Sequence, residues 1–250
     1  MVNVRCGSVQ FSQVQAIIFD KDGTLADSSQ YLSQLGHQRA HHLSLAIGDR
    51  APKDFKQRLL RSWGVNENSV NPIGQIAVAS QAEEEISTAG HLTALGYGWI
   101  DALDLVRRSF DAAEYHQEAS LTPAFAGIQD CLQSLHRAGL KIGILSSDST
   151  DRVEAFKNHY ELSSILELCW GSQSADFGKP DPRLFHGACA ALGVEVSQTL
   201  MVGDSRADID MAKQAGAQGA IGAAWGWPPF DLPGVDVMLD NISEIAAFVN

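Results

Sequence analysis

The run Ile17-Ile18-Phe19-Asp20-Lys21-Asp22-Gly23-Thr24 sets two carboxylates, one residue apart, directly behind an apolar stretch. Such a stretch reads as a buried strand, and the glycine and threonine that follow end it. Side-chain alternation predicts Asp20 and Asp22 on one side and Lys21 on the other. Carboxylates at a strand end can attack an electrophile, move a proton or hold a cation, although a solvated acidic turn accounts for this segment alone equally well. Three other stretches add to it. Leu140 to Leu145 reads as a strand that leads into Ser146-Ser147-Asp148; Gly178-Lys179-Pro180-Asp181-Pro182 supplies a lysine; Thr199 to Val202 leads into Gly203-Asp204-Ser205, with Asp208 four residues after Asp204. Strands of one parallel sheet end on a common edge, which is where open α/β sheets collect ligands. Asp20, Asp22, Ser146 and Asp204 then converge, and Asp208, one helical turn from Asp204, faces the same point. Several carboxylates at one point repel one another unless a cation binds between them. Oxygen ligands without paired His or Cys favour a hard ion, and Mg²⁺ is the natural choice. Lys179 is a point charge suited to a phosphoryl group, with Ser146, Ser147 and backbone N–H groups as candidates for its other oxygens.

The elements that must position these residues follow from periodicity. Residues 1–13 read as a loose lead-in and Val14 to Phe19 as the first strand. Asp27 through Ile47 reads as helix, with Tyr31, Leu32 and Leu35 at helical spacing. From about Gly36 to Pro123 the patterns are helical with no convincing strand, which marks an inserted helical domain. There Phe55, Leu59 and Trp63 define a buried helical face, with Lys53, Arg58 and Arg61 on the opposite side. Residues 50–61 also contain Arg50 and Lys56, whereas residues 62–100 contain no Lys or Arg, so positive charge is concentrated in one short segment. A solvated helix surface explains this as readily as a binding face.

After Leu121 strand and helix alternate again. Helices are predicted over Asp130 to Ala138, around Val153, Phe156 and Tyr160, after an Asp181 cap with Pro182 at the first helical position, and up to Gly216. Further strands are predicted at Ile165 to Trp170, Ala220 to Ala223 and Val235 to Leu239, the last two bracketing Trp225-Gly226-Trp227-Pro228-Pro229, and a helix from Ser243 closes the chain. The expected class is α/β, a parallel sheet with helices on both faces.

Composition narrows the function classes. A net charge of −12 disfavours nucleic acid or an anionic membrane as partner, and no apolar run in the 250 residues approaches a bilayer span. The four cysteines, Cys6, Cys131, Cys169 and Cys189, form no C-x-x-C pair, and no charged segment followed by an apolar run opens the sequence. These features fit a cytoplasmic protein, monomer or homodimer, acting on a small molecule.

Taken in order, Asp20-Lys21-Asp22-Gly23-Thr24, Ser146 at a strand end, Lys179-Pro180, and Gly203-Asp204-Ser205 with Asp208 resemble the four motifs of the haloacid dehalogenase-like (HAD) hydrolase superfamily. Val202 to Arg206 and Trp225-Gly226 look most like its phosphoglycolate-phosphatase-type branch. The resemblance implies a Rossmann-like core in two parts, residues 1–33 and 122–250, and a C1-type helical cap over residues 34–121. It also implies Mg²⁺-dependent hydrolysis of a small phosphorylated metabolite. Asp20 would attack phosphorus, and Asp22 would serve as acid and base. Ser146 and Lys179 would bind the phosphoryl group, and Asp20, the Asp22 carbonyl, Asp204 and Asp208 would serve the metal. Thr24 and Asp27 would brace the loop, and Ser147, Lys53, Arg58 and Arg61 are substrate-binding candidates. Lys21 departs from the apolar residue common in this branch. Among alternatives, a dehalogenase does not need Asp22; a β-phosphoglucomutase-like enzyme would carry histidine where Leu32 stands; a phosphonatase needs a cap lysine, for which Lys53 is a poor match. A non-catalytic module would not need the full carboxylate set.

Overall fold

The computed structural model describes residues 2–67, 69–115, 122–172, 177–227 and 231–248. It divides into two compact units, Met1–Asp27 with Thr122–Asn250, and Ser28–Leu121.

The first unit carries the predicted parallel sheet. Its strands are β3 (Ala16–Phe19), β4 (Lys141–Leu145), β5 (Leu166–Trp170), β6 (Thr199–Gly203), β7 (Gly219–Ala223) and β8 (Val237–Leu239), in spatial order β5-β4-β3-β6-β7-β8. All neighbours are parallel, and Phe19 lies opposite both Ile144 of β4 and Val202 of β6. Chain order reverses direction across β3, so the ends of β4 and β6 flank the end of β3, the position at which open α/β sheets bind ligands. Every residue of β3 is fully buried. Ile17 and Phe19 pack on one face with Ile128, Leu132 and Leu135 of α6 (Ile128–Arg137) and with Val153 and Phe156 of α7 (Thr150–His159). Ala16 and Ile18 pack on the other with Leu184, Phe185 and Ala188 of α8 (Pro182–Leu192) and with Ile209 and Ala212 of α9 (Arg206–Ala215). This is the period-two alternation of a strand covered on both faces. Asp181 caps α8 by accepting the Arg183 N–H, with Pro182 at its first position.

Two sequence expectations fail at the chain ends. Residues 1–13 are not a loose lead-in: β1 (Val2–Cys6) and β2 (Val9–Val14) form an antiparallel hairpin, and β3 starts separately at Ala16. The segment after Ser243 is not a helix. A 3₁₀ turn over Ile242–Glu244 is followed by β9 (Ile245–Phe248), which pairs antiparallel with β1 from Cys6 opposite Ile245 to Asn3 opposite Phe248. The order β2-β1-β9 makes a second, three-stranded sheet whose Val4, Cys6, Phe11 and Val14 join the α6-side core. Pairing with a distant strand overrides the weak helical propensity of the last residues.

The second unit is helical, as expected: α1 (Ser29–Ile47), α2 (Phe55–Trp63), α3 (Gln75–Val78), α4 (Gln81–Thr93) and α5 (Trp99–Tyr115). Phe55, Leu59 and Trp63 are buried, while Arg58 and Arg61 are exposed on the other side of α2. Lys53 lies in the turn ahead of α2 and not on the helix itself, because Pro52 and Asp54 delay the first helical turn. Trp63 meets Phe110 edge-on at 5.9 Å and donates its indole N–H to Thr88 Oγ1 at 3.1 Å. Arg39 pairs with buried Glu84 and lies 4.2 Å over the Phe110 ring. Ser80 and Glu83 form a reciprocal capping box at the start of α4. Leu121, at the expected inner boundary, and Pro228 and Pro229 lie outside the described residues.

Candidate active site

The end of β3 carries Asp20, whose backbone N–H donates to the Val202 carbonyl at 2.8 Å and so keeps it in register with β6. Beyond β6, Asp204 and Asp208 stand at the start of α9. Ser205 caps that helix by accepting the Asp208 N–H, and Asp208 Oδ2 accepts the Ser205 N–H at 3.1 Å. The capping box therefore leaves the other Asp208 oxygen free to turn toward Asp20. Among the described residues, Asp20, Asp204 and Asp208 form one buried group whose carboxylate oxygens lie within 4.8 Å of one another. Lys179 enters from the loop before α8. Its side chain is 3% exposed, and it pairs with Asp20 Oδ1 and, at 2.6 Å, with Asp208 Oδ1.

Three carboxylates face one ammonium here, and the electrostatics record the imbalance. Burial, with Asp208 and Asp204 nearby, holds the Asp20 carboxyl well above its ordinary range in spite of Lys179. Burial and then Asp208 push Asp204 up to about 7. Burial disfavours the Lys179 charge, but Asp20 and Asp208 outweigh it and raise its pKa. Excess negative charge on oxygen donors in a confined space fits a hard divalent cation.

Asp204 is oriented from two sides, by the loop after β3 and by the loop after β7. Thr24 Oγ1 donates to Asp204 Oδ1 at 2.8 Å, which places Thr24 in the bracing role expected of it. Trp227 Nε1 donates to Asp204 Oδ2 at 2.6 Å, and Trp225 Nε1 donates to the Thr24 carbonyl at 2.9 Å. The tryptophan loop after β7 thus fixes both the metal-type carboxylate and the loop after β3. Two glycines make the approach possible. Gly23 has φ +85°, and a Cβ there would lie 2.2 Å from Trp227 Nε1; a Cβ on Gly226 would lie 2.0 Å from the Gly23 carbonyl oxygen. Gly226→Ala should therefore destabilise the protein by about 1–3 kcal/mol and depress turnover, since backbone on backbone has no flexible end to yield. Thermal melting and steady-state rates check this; wild-type values for both would show that the loop shifts freely.

Asp22 lies beside this cluster but outside it. Its Oδ1 accepts from Lys21 Nζ at 2.6 Å, which corrects the expectation that Lys21 points to the opposite side. The chain leaves extended geometry at Phe19, and the Thr24, Leu25 and Ala26 N–H groups close a tight turn on the Lys21 carbonyl, so strand alternation no longer applies. The Asp22 side chain is accordingly not part of the three-carboxylate group. Ser146, at the end of β4, is buried and its Oγ accepts the Asp148 N–H at 3.1 Å; Ser147 is half-buried next to it. Lys53, Arg58 and Arg61 belong to the other unit. Arg58 pairs with Asp54 at 2.8 Å and Arg61 donates to the Gln57 carbonyl at 3.3 Å, both in the open.

The fold and this site define an α/β protein with a parallel sheet and a buried group of carboxylates beyond the ends of its central strands. The chain belongs to the haloacid dehalogenase-like hydrolases, whose family model matches residues 14–216. It is similar to the phosphoglycolate phosphatase of Salmonella typhi, 25% identical over 94% of this chain and 92% of that one, and to that of Photobacterium profundum, 25% identical over 94% and 96%. The crystal structure of a predicted phosphoglycolate phosphatase from Haemophilus somnus shares the fold, with a TM-score of 0.67 at 21% identity, covering 94% of this chain and 97% of that one. Family, branch and phosphatase class agree with the resemblance seen in the sequence.

Proposed function

We propose that the protein is a Mg²⁺-dependent phosphomonoester hydrolase that acts on a small phosphorylated metabolite through an aspartyl-phosphate, with phosphoglycolate as the first substrate to test. The buried group of Asp20, Asp204, Asp208 and Lys179 carries this reading. Asp20 attacks phosphorus in line, the bond to the leaving oxygen breaks with its electron pair, and the Asp22 carboxyl delivers a proton to that oxygen. In the second step Asp22 takes a proton from water, the resulting hydroxide attacks phosphorus, and phosphate leaves with Asp20 restored as carboxylate. Lys179 and Ser146 bind the phosphoryl oxygens, and Ser147 is assigned to the same oxygens. When bound, Mg²⁺ would be held by Asp20, Asp204, Asp208 and the Asp22 carbonyl and would offset the charge between nucleophile and phosphoryl group.

The experiment is phosphate release from a panel of phosphate esters. Thorough chelation should abolish turnover and Mg²⁺ should restore it; turnover that survives chelation would remove the metal from the account. A protein inert toward every ester in the presence of Mg²⁺ would remove the phosphatase reading itself.

The helical unit is assigned as the specificity-determining cap. On a protein of net charge −12, a second anionic group on the leaving portion needs cations beyond Lys179, and Lys53, Arg58 and Arg61 supply them. Arg58→Ala or Arg61→Ala should raise KM for the natural substrate about 3- to 10-fold and leave an ester with a neutral leaving group unchanged, the mark of lost remote binding. Equal kinetics for both esters across single and combined substitutions would return this face to plain solvent. No helix among the described residues is long and apolar enough to cross a membrane, and Cys6, Cys131, Cys169 and Cys189 are all free thiols. The net charge of −12 supports a small-molecule substrate over nucleic acid or an anionic membrane as partner.

A further inference from the structure

We propose that Lys21 is a positioning residue: it holds the Asp22 carboxylate in place for proton transfer, and Asp148, at the end of β4, anchors Lys21 in turn. The inference rests on the proton-transfer role assigned to Asp22 above.

Lys21 Nζ lies 2.6 Å from Asp22 Oδ1 and 3.0 Å from Asp148 Oδ2, with the lysine side chain 1% exposed and the two carboxylates 19% and 20% exposed. The ammonium is thus a bridge between the loop after β3 and the loop after β4. Both ends of that bridge are fixed. At one end the Lys21 carbonyl accepts the Leu25 and Ala26 N–H groups, each at 2.8 Å, so the backbone that carries Lys21 and Asp22 is closed into a tight turn. At the other, Asp148 accepts the Ser149 N–H at 2.8 Å and Arg152 Nε at 3.0 Å, and its own N–H donates to Ser146 Oγ. The bridge therefore couples Asp22 to Ser146, which is assigned to the phosphoryl oxygens.

A lysine in this place is costly unless it orients something. Taking an ammonium out of water is repaid only by close partners, and an apolar side chain of similar volume would serve packing as well or better. The network holds two cations, Lys21 and Arg152, against two carboxylates, Asp22 and Asp148. Lys21 and Arg152 pair with these carboxylates and leave Asp20 to Lys179, so the contribution of Lys21 is directional: it limits where a flexible carboxylate, one bond rotation from solvent, can point. A proton donor misplaced by about 1 Å loses much of its effect.

Leaving-group dependence reads this out. A departing alkoxide needs its proton in the transition state, whereas p-nitrophenolate leaves without one. The value of kcat/KM reports through formation of the phosphoenzyme and so isolates that step. In the Mg²⁺-loaded protein, Lys21→Met should lower kcat/KM for an alkyl phosphate about 10- to 100-fold while p-nitrophenyl phosphate falls less than about 3-fold. Asp148→Asn should shift both in the same sense by a smaller factor, and it decides the matter if Lys21→Met does not fold. Equal losses on both esters in the folded variants, or no loss on the alkyl ester, would overturn the role of Lys21. Asp22→Asn separates the two layers: if it shows the leaving-group bias and Lys21→Met and Asp148→Asn do not, only this inference fails. If Asp22→Asn itself shows none, the proton-transfer assignment fails and takes the inference with it.

Discussion

Asp20→Asn should leave a folded protein that releases no measurable phosphate, a loss of at least ~10⁴-fold in kcat, because an amide cannot attack phosphorus and the remaining groups have no nucleophile to assist. The same substitution should not lower stability in metal-free protein. Burial and the neighbouring Asp208 and Asp204 raise the Asp20 carboxyl above its unfolded value, so its ionised form costs folding free energy at neutral pH. A neutral amide removes that cost, and Lys179 keeps Asp208 as a partner at 2.6 Å. Melting curves with chelator present should place Asp20→Asn at or above wild type. A folded variant that retains substantial activity would mean that water attacks phosphorus directly.

Lys179→Met should be damaging in both respects. Removing the ammonium leaves three buried carboxylates without a cation, and breaking a buried pair in this way typically costs about 3–5 kcal/mol. Under the proposed function Mg²⁺ would bind the folded state alone, and adding it should then recover part of the lost melting temperature in the variant. Turnover should still fall ~10²- to 10³-fold with Mg²⁺ saturating, since the charge proposed to meet the phosphoryl oxygens would be gone. A Lys179→Met protein with wild-type melting in chelator would show that the carboxylates do not need this cation.

The parallel sheet was legible because β3, β4 and β6 are short, mainly apolar runs followed at once by Asp or Ser, and that same ending marked the site. The insertion was legible from the four-residue recurrence of Phe55, Leu59 and Trp63. The ends of the chain were not. Gln13 takes a positive φ of 59°, and the β1–β2 register shifts between Val2 and Val4, so the alternation of Val9, Phe11 and Val14 is broken just where it would have signalled a strand. β9 depends on β1, which lies more than 230 residues away and leaves no local trace. In the site, Asp20 and Asp204 are legible as strand ends, Asp208 by its helical spacing from Asp204, and Lys179 with them through the four-motif resemblance. Trp225 and Trp227 were noticed as a loop signature, but their bonds to Thr24 and Asp204 require the tertiary approach that Gly23 and Gly226 permit. Strand alternation misplaces Lys21 because it stops applying after the last strand residue, Phe19, where the chain enters the turn that carries Lys21 and Asp22.

The covalent step is the centre of the account, and trapping it is the most direct test. Mg²⁺-loaded protein is mixed with a phosphate ester that it hydrolyses, quenched in acid within milliseconds and treated with borohydride, which reduces an acyl phosphate but not a free carboxylate. Peptide mass spectrometry then reads which aspartate has become homoserine. Conversion is expected at Asp20 alone, dependent on both ester and Mg²⁺ and absent in Asp20→Asn. Rapid phosphate release with Asp20 unmodified at every quench time, or conversion at Asp22, Asp204 or Asp208 in its place, would contradict it.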